Sequence, residues 1–257
     1  MVEPDILAHV EKVRVGGIDI ARLDLDATAD LMTNIVQTRT RGRDPLNFTS
    51  ANGEVIARCR SNYAFAKLIR QADLVSADGQ PLVFASKLFG RAPLPERVAT
   101  TDLYDRVAAR AERAGVSFYL LGASEEVNRK TYDMTRRRYP AVRIAGRSHG
   151  YLSGAALEAK LDEINALAPD ILWLAMGVPT EHRFVERWAS RLSNVGLIKT
   201  SGGLFDFYSG TKPRAPKVVQ TLGLEWAYRV LVEPRRLFWR YAVTNPVAFF
   251  QLIRATA

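Results

Sequence analysis

The sequence predicts an α/β protein: a Rossmann-like parallel sheet with helices on both faces, followed by a basic amphipathic helical appendage at the C-terminal end. Short β-branched or apolar runs alternate with longer segments of helical period, the pattern of a sheet covered by helices. Glycine and small polar residues recur where those runs stop, and the composition changes after about Gly210.

VRVGGIDIARLDLD, near the start, reads as a hairpin or edge element. Strands are expected at Leu46–Ser50, Asp73–Ser76, Ser117–Gly122, Val142–Ala145, Asp170–Ala175 and Val195–Thr200, each a run of residues suited to a pleated, buried surface. Helices are expected between them at Gly53–Gln71, Pro81–Phe89, Thr101–Ala114, Glu125–Tyr139, Ala155–Leu167 and Pro179–Leu192. From Lys212 onward there are eight Lys or Arg against Glu225 and Glu233, so most of the +9 net charge lies there. Trp226, Tyr228, Phe238, Trp239, Tyr241, Phe249 and Phe250 recur in the same stretch, and Pro234 and Pro246 divide it into about three short helices. The expected division is a core over 1–211 and an appendage over 212–257.

Composition narrows the function classes. A chain of 257 residues, 47% hydrophobic and 25% charged, holds one large globular core rather than a disordered segment. The positive balance points to an anionic partner: nucleic acid, an anionic membrane surface or a phosphate-bearing substrate. Basic side chains interleaved with large rings suit an interfacial helix, at roughly 1 kcal/mol per basic residue near anionic lipid. A plain helical lid packed on the core fits the same residues. Nucleic-acid binding is set aside because no nucleic-acid motif accompanies the patch. The single Cys59 excludes disulfides and cysteine-based metal sites, which fits a reducing cytosol. No apolar run of signal-peptide length opens the chain, and Tyr241–Ile253 is too short and interrupted to span a bilayer.

In an open parallel sheet, ligands bind beyond the carboxyl ends of the strands, where helix N-termini offer free N–H groups to anions. SANGE (50–54), SADG (76–79), LGAS (121–124), MGVPTE (176–181) and TSGGLFDF (200–207) fall at such ends and describe one shared crevice. None is a dinucleotide fingerprint or a Walker loop. The DLD at Asp24–Asp26 has the form of a metal-binding DxD, yet its position before ATADLM suits a helix cap. His9, His149 and His182 are too scattered to form a metal site or a Ser/His/Asp triad.

NFTSANGEVI, LVSADGQPLV, ERVATTDL, FYLLGAS, PDILWLAMGVPTEHRFVERW, SGGLFDFYSGTKPRAPK and LGLEWAYRVLVEPRRLFWRY occur in the order and spacing of the WecG/TagA/CpsF glycosyltransferases, glycosyltransferase family 26. The resemblance covers about residues 13–250. It implies an inverting hexosyltransferase of cell-envelope or exopolysaccharide assembly, peripheral on the inner face of the cytoplasmic membrane. Such an enzyme moves a hexose or N-acetylhexosamine, N-acetylmannosamine for example, from a UDP-sugar to a polyprenyl-diphosphate-linked sugar. No cofactor or essential metal is implied, and homo-oligomerisation is left open.

The resemblance also implies roles for single residues. Asp78 matches the family aspartate proposed as general base; an N-cap for the following helix is the structural alternative. Arg97 matches an arginine that meets diphosphate, where a guanidinium can offset charge on departing UDP, with surface solvation as its alternative. Ser50 stands where the family usually has Thr and keeps a catalytic-site hydroxyl that can hydrogen-bond substrate, Asn52 is the motif's substrate-binding amide, and Gly53 replaces the usual Pro. Gly79, Gly122, Gly177, Pro179, Gly202, Gly203, Phe205 and Asp206 match positions assigned to substrate binding. Arg214, Arg229, Arg235, Arg236 and Arg240 match basic positions of the tail that meet lipid diphosphate or membrane. One departure stands out: Glu181 and His182 occupy the places of Gln and Glu in the common GxPKQE pattern. A carboxylate facing a diphosphate is unfavourable, so Glu181 is expected to bind sugar hydroxyls or serve as a second base. That departure also supports an alternative from another class, a non-catalytic membrane-anchored binding module on a degenerate transferase core.

Overall fold

The computed structural model describes residues 4–257; the first three, part of the stretch read as lacking an export signal, lie outside the described residues. After a short helix α1 (Pro4–Ala8), strands β1 (Lys12–Val15) and β2 (Ile18–Ala21) form the expected antiparallel hairpin. Asp24 then caps α2 (Leu25–Thr38), its carboxylate accepting the Ala27 N–H at 2.7 Å. Asp26 pairs with Arg110 at 3.0 Å, so both acids of the DLD are engaged in structure.

Six parallel strands follow: β3 (Leu46–Ala51), β4 (Leu74–Ala77), β5 (Ser117–Gly122), β6 (Arg143–Ser148), β7 (Ile171–Ala175) and β8 (Leu197–Thr200). Their spatial order is β4-β3-β8-β7-β5-β6. The connecting helices are α3 (Gly53–Ser61), α4 (Tyr63–Arg70), α5 (Gln80–Phe89), α6 (Thr100–Ala114), α7 (Glu125–Arg138), α8 (Gly154–Leu167), α9 (Thr180–Trp188) and α10 (Leu204–Tyr208). The expected single helix over 53–71 is two. Asn62 leaves the helical region, gives its N–H to the Arg58 carbonyl and takes the Phe65 N–H on its own side chain at 2.9 Å.

Alternation along the strands sorts the core onto two faces. Phe48, Phe118, Leu120, Trp173 and Leu197 pack against α2, α6, α7 and α10. Val75, Ala77, Tyr119, Leu172 and Ile198 face the helices of the opposite layer, α3 to α5 on one side and α8 and α9 on the other. Neighbouring strands β3 and β8 therefore send their following helices to opposite faces, which opens a crevice at their carboxyl ends.

The tail forms α11 (Lys217–Thr221), α12 (Glu225–Val232) and α13 (Pro234–Arg254). The break expected at Pro246 does not occur. α13 runs through it, because Ala248 and Leu252 on its inner face are buried in the cluster built by α3 to α5 and the hairpin, outweighing the lost hydrogen bond. The actual first break is at Gly223, whose φ of 74° suits glycine. The last residues return to the hairpin: Gly17 gives its N–H to the Ala255 carbonyl at 2.8 Å and Ala257 gives its own to Arg14 at 3.0 Å. No helix among the described residues is long and apolar enough to cross a membrane.

Candidate active site

At the β3/β8 divide a cavity of about 380 Å³ opens between the sheet and the tail. Ser50, Asn52, Asp78, Gly79, Arg97, Glu181, Gly202 and Gly203 line its floor, and Arg214, Glu225, Trp226, Arg229 and Tyr241 line its roof. Four of the five expected strand ends thus meet here. Gly122, Gly177, Pro179, Phe205, Asp206, Arg235, Arg236 and Arg240 are not among its lining residues.

Asp78 follows β4, but it does not cap the helix after it. α5 takes Gly79 as N-cap with no side-chain hydrogen bond. The Asp78 carboxylate instead turns to the first residue of α6, accepting the Thr100 hydroxyl at 2.9 Å and the Thr100 N–H at 3.4 Å. Desolvation raises its pKa above the ordinary carboxylate value, against the opposing pull of Arg97. Arg97 donates from Nε to the Asp78 main-chain oxygen at 3.1 Å and lies 3.9 Å from its carboxylate. Its other partner is Glu225 of α12, at 2.8 Å. Arg97 is therefore a part-buried link rather than a solvated surface group.

Sequence reasoning missed Lys199. It sits inside β8 in the apolar-looking run GLIKT, fully buried, and donates to Ser50 Oγ at 2.8 Å and the Thr200 carbonyl at 3.0 Å. Burial pulls its pKa down to about 8, while Asp78 and Glu181 work against that shift. A lysine inside an otherwise apolar expected strand was the available signal. Glu225 was also missed, since it was counted only as tail charge.

Glu181 is 2% exposed, and its oxygens accept backbone N–H groups from Gly177 at 3.2 Å and Gly202 at 2.9 Å. It therefore latches the turn after β7 to the turn after β8, with both oxygens taken by main chain. Desolvation pushes its pKa up to about 7, the backbone bonds opposing. Gly202, at φ 57°, can present its N–H this way because it has no Cβ. Beside it His182 is held near pKa 4 by burial and stays neutral, with Nε2 at 2.9 Å from Thr49 Oγ1. Thr200 in turn donates to Thr49 at 2.7 Å.

The other expected residues take distinct places. Asn52 lines the cavity while its Oδ1 caps α3 through the Val55 N–H. Gly122 is packed against β7, where a Cβ would fall 2.2 Å from the Ala175 oxygen. Gly177 and Pro179 belong to the turn that separates the main cavity from a second one of about 240 Å³, bordered by His149, Met176, Arg183 and Trp188. Phe205 is in the core and Asp206 pairs with Lys212 at 2.9 Å. Arg214 makes a bidentate pair with Asp102 at 2.6 and 2.7 Å, and Arg229 lies over the Phe207 ring. Arg240 is tied to Glu54 at 3.1 Å, whereas Arg235 and Arg236 are exposed on the first turn of α13.

No group of three or more His, Cys, Asp or Glu side chains among the described residues is arranged to hold a metal ion. A part-buried carboxylate beside guanidinium groups thus stands at the carboxyl ends of a parallel sheet, where ligands of such sheets bind. Residues 13–257 match the model of the glycosyl transferase WecG/TagA/CpsF family, and the chain belongs to that family. It is a glycosyltransferase.

Among characterised proteins it is similar to the N-acetylglucosaminyldiphosphoundecaprenol N-acetyl-beta-D-mannosaminyltransferase of Bacillus spizizenii strain W23. The two are 32% identical over 200 residues, covering 77% of this chain and 74% of the relative. The protein of the same name from Staphylococcus aureus strain MRSA252 is 28% identical over 230 residues, 88% of this chain and 89% of the relative.

Proposed function

We propose that the protein transfers N-acetylmannosamine from its UDP-sugar to N-acetylglucosamine carried on a polyprenyl diphosphate, with inversion, at the inner face of the cytoplasmic membrane. The names of its relatives support the sugar and the acceptor. The observation that carries the reading is Asp78, a part-buried carboxylate lining the cavity beside Arg97.

The acceptor hydroxyl gives its proton to Asp78 as its oxygen attacks the anomeric carbon. The bond from that carbon to the UDP oxygen breaks on the opposite face, and UDP leaves with the electron pair. Inversion follows from this single in-line displacement. Raising the pKa of Asp78 makes it a better proton acceptor, provided it stays ionised at the working pH. Arg97, Arg214 and Arg229 supply cationic donors where diphosphate charge gathers, so no metal ion is required for that role. Ser50, Asn52, Gly79, Gly202 and Gly203 shape the floor under the sugars and UDP.

The tail brings the cavity to its lipid substrate. Leu231 is 80% exposed and Trp239 74%, with Phe238, Val243, Phe249 and Phe250 exposed nearby. Arg235 and Arg236 flank this apolar surface, a pairing suited to an anionic bilayer.

The test is transfer from UDP-N-acetylmannosamine, alongside a panel of other UDP-sugars, to a short-chain prenyl diphosphate bearing N-acetylglucosamine. Asp78→Asn is expected to lower turnover by about 10²–10⁴-fold while UDP binding, read by calorimetry, stays close to wild type. Wild-type turnover in that variant would refute the base assignment.

A further inference from the structure

We propose that Lys199 is a positioning residue that keeps the Asp78 carboxylate ionised through a one-way chain of hydroxyls, Ser50 and then Thr100. The inference rests on the reading of Asp78 as the base. Lys199 does not line the cavity, so it acts on substrate only through other groups.

The geometry fixes the direction of the chain. An ammonium has donors only, so in the 2.8 Å contact Ser50 Oγ is the acceptor. The Ser50 hydrogen is then free to point at Thr100 Oγ1, 3.3 Å away. Thr100 Oγ1 in its turn donates to Asp78 Oδ2 at 2.9 Å. Ammonium, hydroxyl, hydroxyl and carboxylate thus form one polarised line across β8, β3 and α6, ending on the oxygen pair that must stay unprotonated to work. Linked donors of this kind polarise and strengthen one another.

The chain meets a specific need. Three influences push Asp78 toward its neutral form or leave it uncompensated: desolvation, the Glu225 carboxylate of α12, and the sharing of Arg97 with that same Glu225. Against them stand Arg97, the Thr100 hydroxyl and Lys199. Around Lys199 itself lie Ser50 of β3, Asp78 after β4, and Glu181 and His182 of α9. His182 is neutral and Glu181 is tied to main chain, so Asp78 is the carboxylate on which the lysine charge acts through hydroxyls. Burying a lysine costs stability unless it is paired and hydrogen-bonded; here the bonds to Ser50 and the Thr200 carbonyl and the nearby carboxylates offset part of that cost.

The test reads Asp78 directly, without substrate. Full-length protein is prepared with ¹³C-carboxyl aspartate, and the Asp78 resonance is identified by its loss in Asp78→Asn. In Lys199→Met, a change of similar volume, the Asp78 titration midpoint is expected to rise by about one pH unit. In Ser50→Ala, which keeps the ammonium and cuts the chain, it is expected to rise by less. The acid limb of the kcat/KM profile should move up with it, and a lysine with a merely structural role would lower activity without moving that limb. An unmoved midpoint in Lys199→Met overturns the proposal, and so does movement there with none in Ser50→Ala. If Lys199→Met fails to fold, Ser50→Ala decides alone, and an unmoved or lowered midpoint overturns it. Wild-type turnover in Asp78→Asn would refute the base reading separately.

Discussion

Arg97 and Glu225 meet at 2.8 Å across the cavity, joining the segment before α6 to the first turn of α12. The guanidinium proposed to receive diphosphate is therefore already held by a carboxylate, and an incoming anion must displace or share it. Glu225→Gln lifts that competing charge. At about 1 kcal/mol for one charge near a surface, the KM for diphosphate acceptor should fall roughly fivefold. Steady-state kinetics with the prenyl-diphosphate acceptor checks this, and an increase in KM would show that Glu225 assists binding instead.

Glu181 and His182 make opposing contributions to stability with pH. Glu181, raised from 4.5 to about 7, holds a proton in the folded state that the unfolded chain gives up, so stability is lost as pH rises through that window. His182, lowered from 6.5 to about 4, sheds a proton that the unfolded chain keeps, so stability is lost as pH falls. Each is worth up to about 3 kcal/mol, and the two largely cancel between pH 4.5 and 6.5. Glu181→Gln should leave the histidine effect exposed, with Tm rising across that range. His182→Asn should give the opposite slope. Parallel Tm curves in the two variants would contradict the assignment.

The exposed side chains of α13 should govern vesicle binding. Full-length protein is expected to sediment with phosphatidylglycerol vesicles and to release as salt is raised, since the basic contribution is screened. Replacing Trp239 and Phe250 together by Ser should weaken partitioning by about tenfold or more. Equal binding by the variant would place the membrane contact elsewhere.

Excess chelator should leave the rate unchanged if Arg97, Arg214 and Arg229 supply the positive charge at the diphosphate. A rate restored only by added divalent ion would require acidic ligands brought together by substrate. Asp24 and Asp26 are poor candidates, because they cap α2 and pair with Arg110.

The layered sheet was legible because its strands are nearly continuous apolar runs; β5 spans the residues read from the sequence. The helix boundary at Asn62 was not, since a capping residue inside an amphipathic stretch leaves the apolar period intact. Pro246 misled for the converse reason: a local helix-breaking rule yielded to packing against α3. The crevice could be inferred from small residues at strand ends, and Ser50, Asp78, Arg97 and Gly202 do meet there. What no local pattern carries is the partner of each group. The reach of Asp78 to α6, of Glu181 to Gly202 and of Lys199 to Ser50 spans 21 residues or more of chain. The Glu181 departure, which had suggested a degenerate core, resolves into a latch between two turns.

The return of the chain end to the hairpin has a mechanical consequence. α13 is a beam pinned where Ala255 meets Gly17 and again where Arg240 grips Glu54. Between those points Ala248 and Leu252, buried against α3 to α5 and the hairpin, form one wall of the cavity. Before Arg240 the roof is held by single side chains: Glu225 on Arg97, Arg229 over the Phe207 ring, and Leu237 buried. Exchanging the Arg97–Glu225 contact for one to an anionic head group would loosen the roof while this pinned end of α13 and the floor that holds Asp78 stay in place.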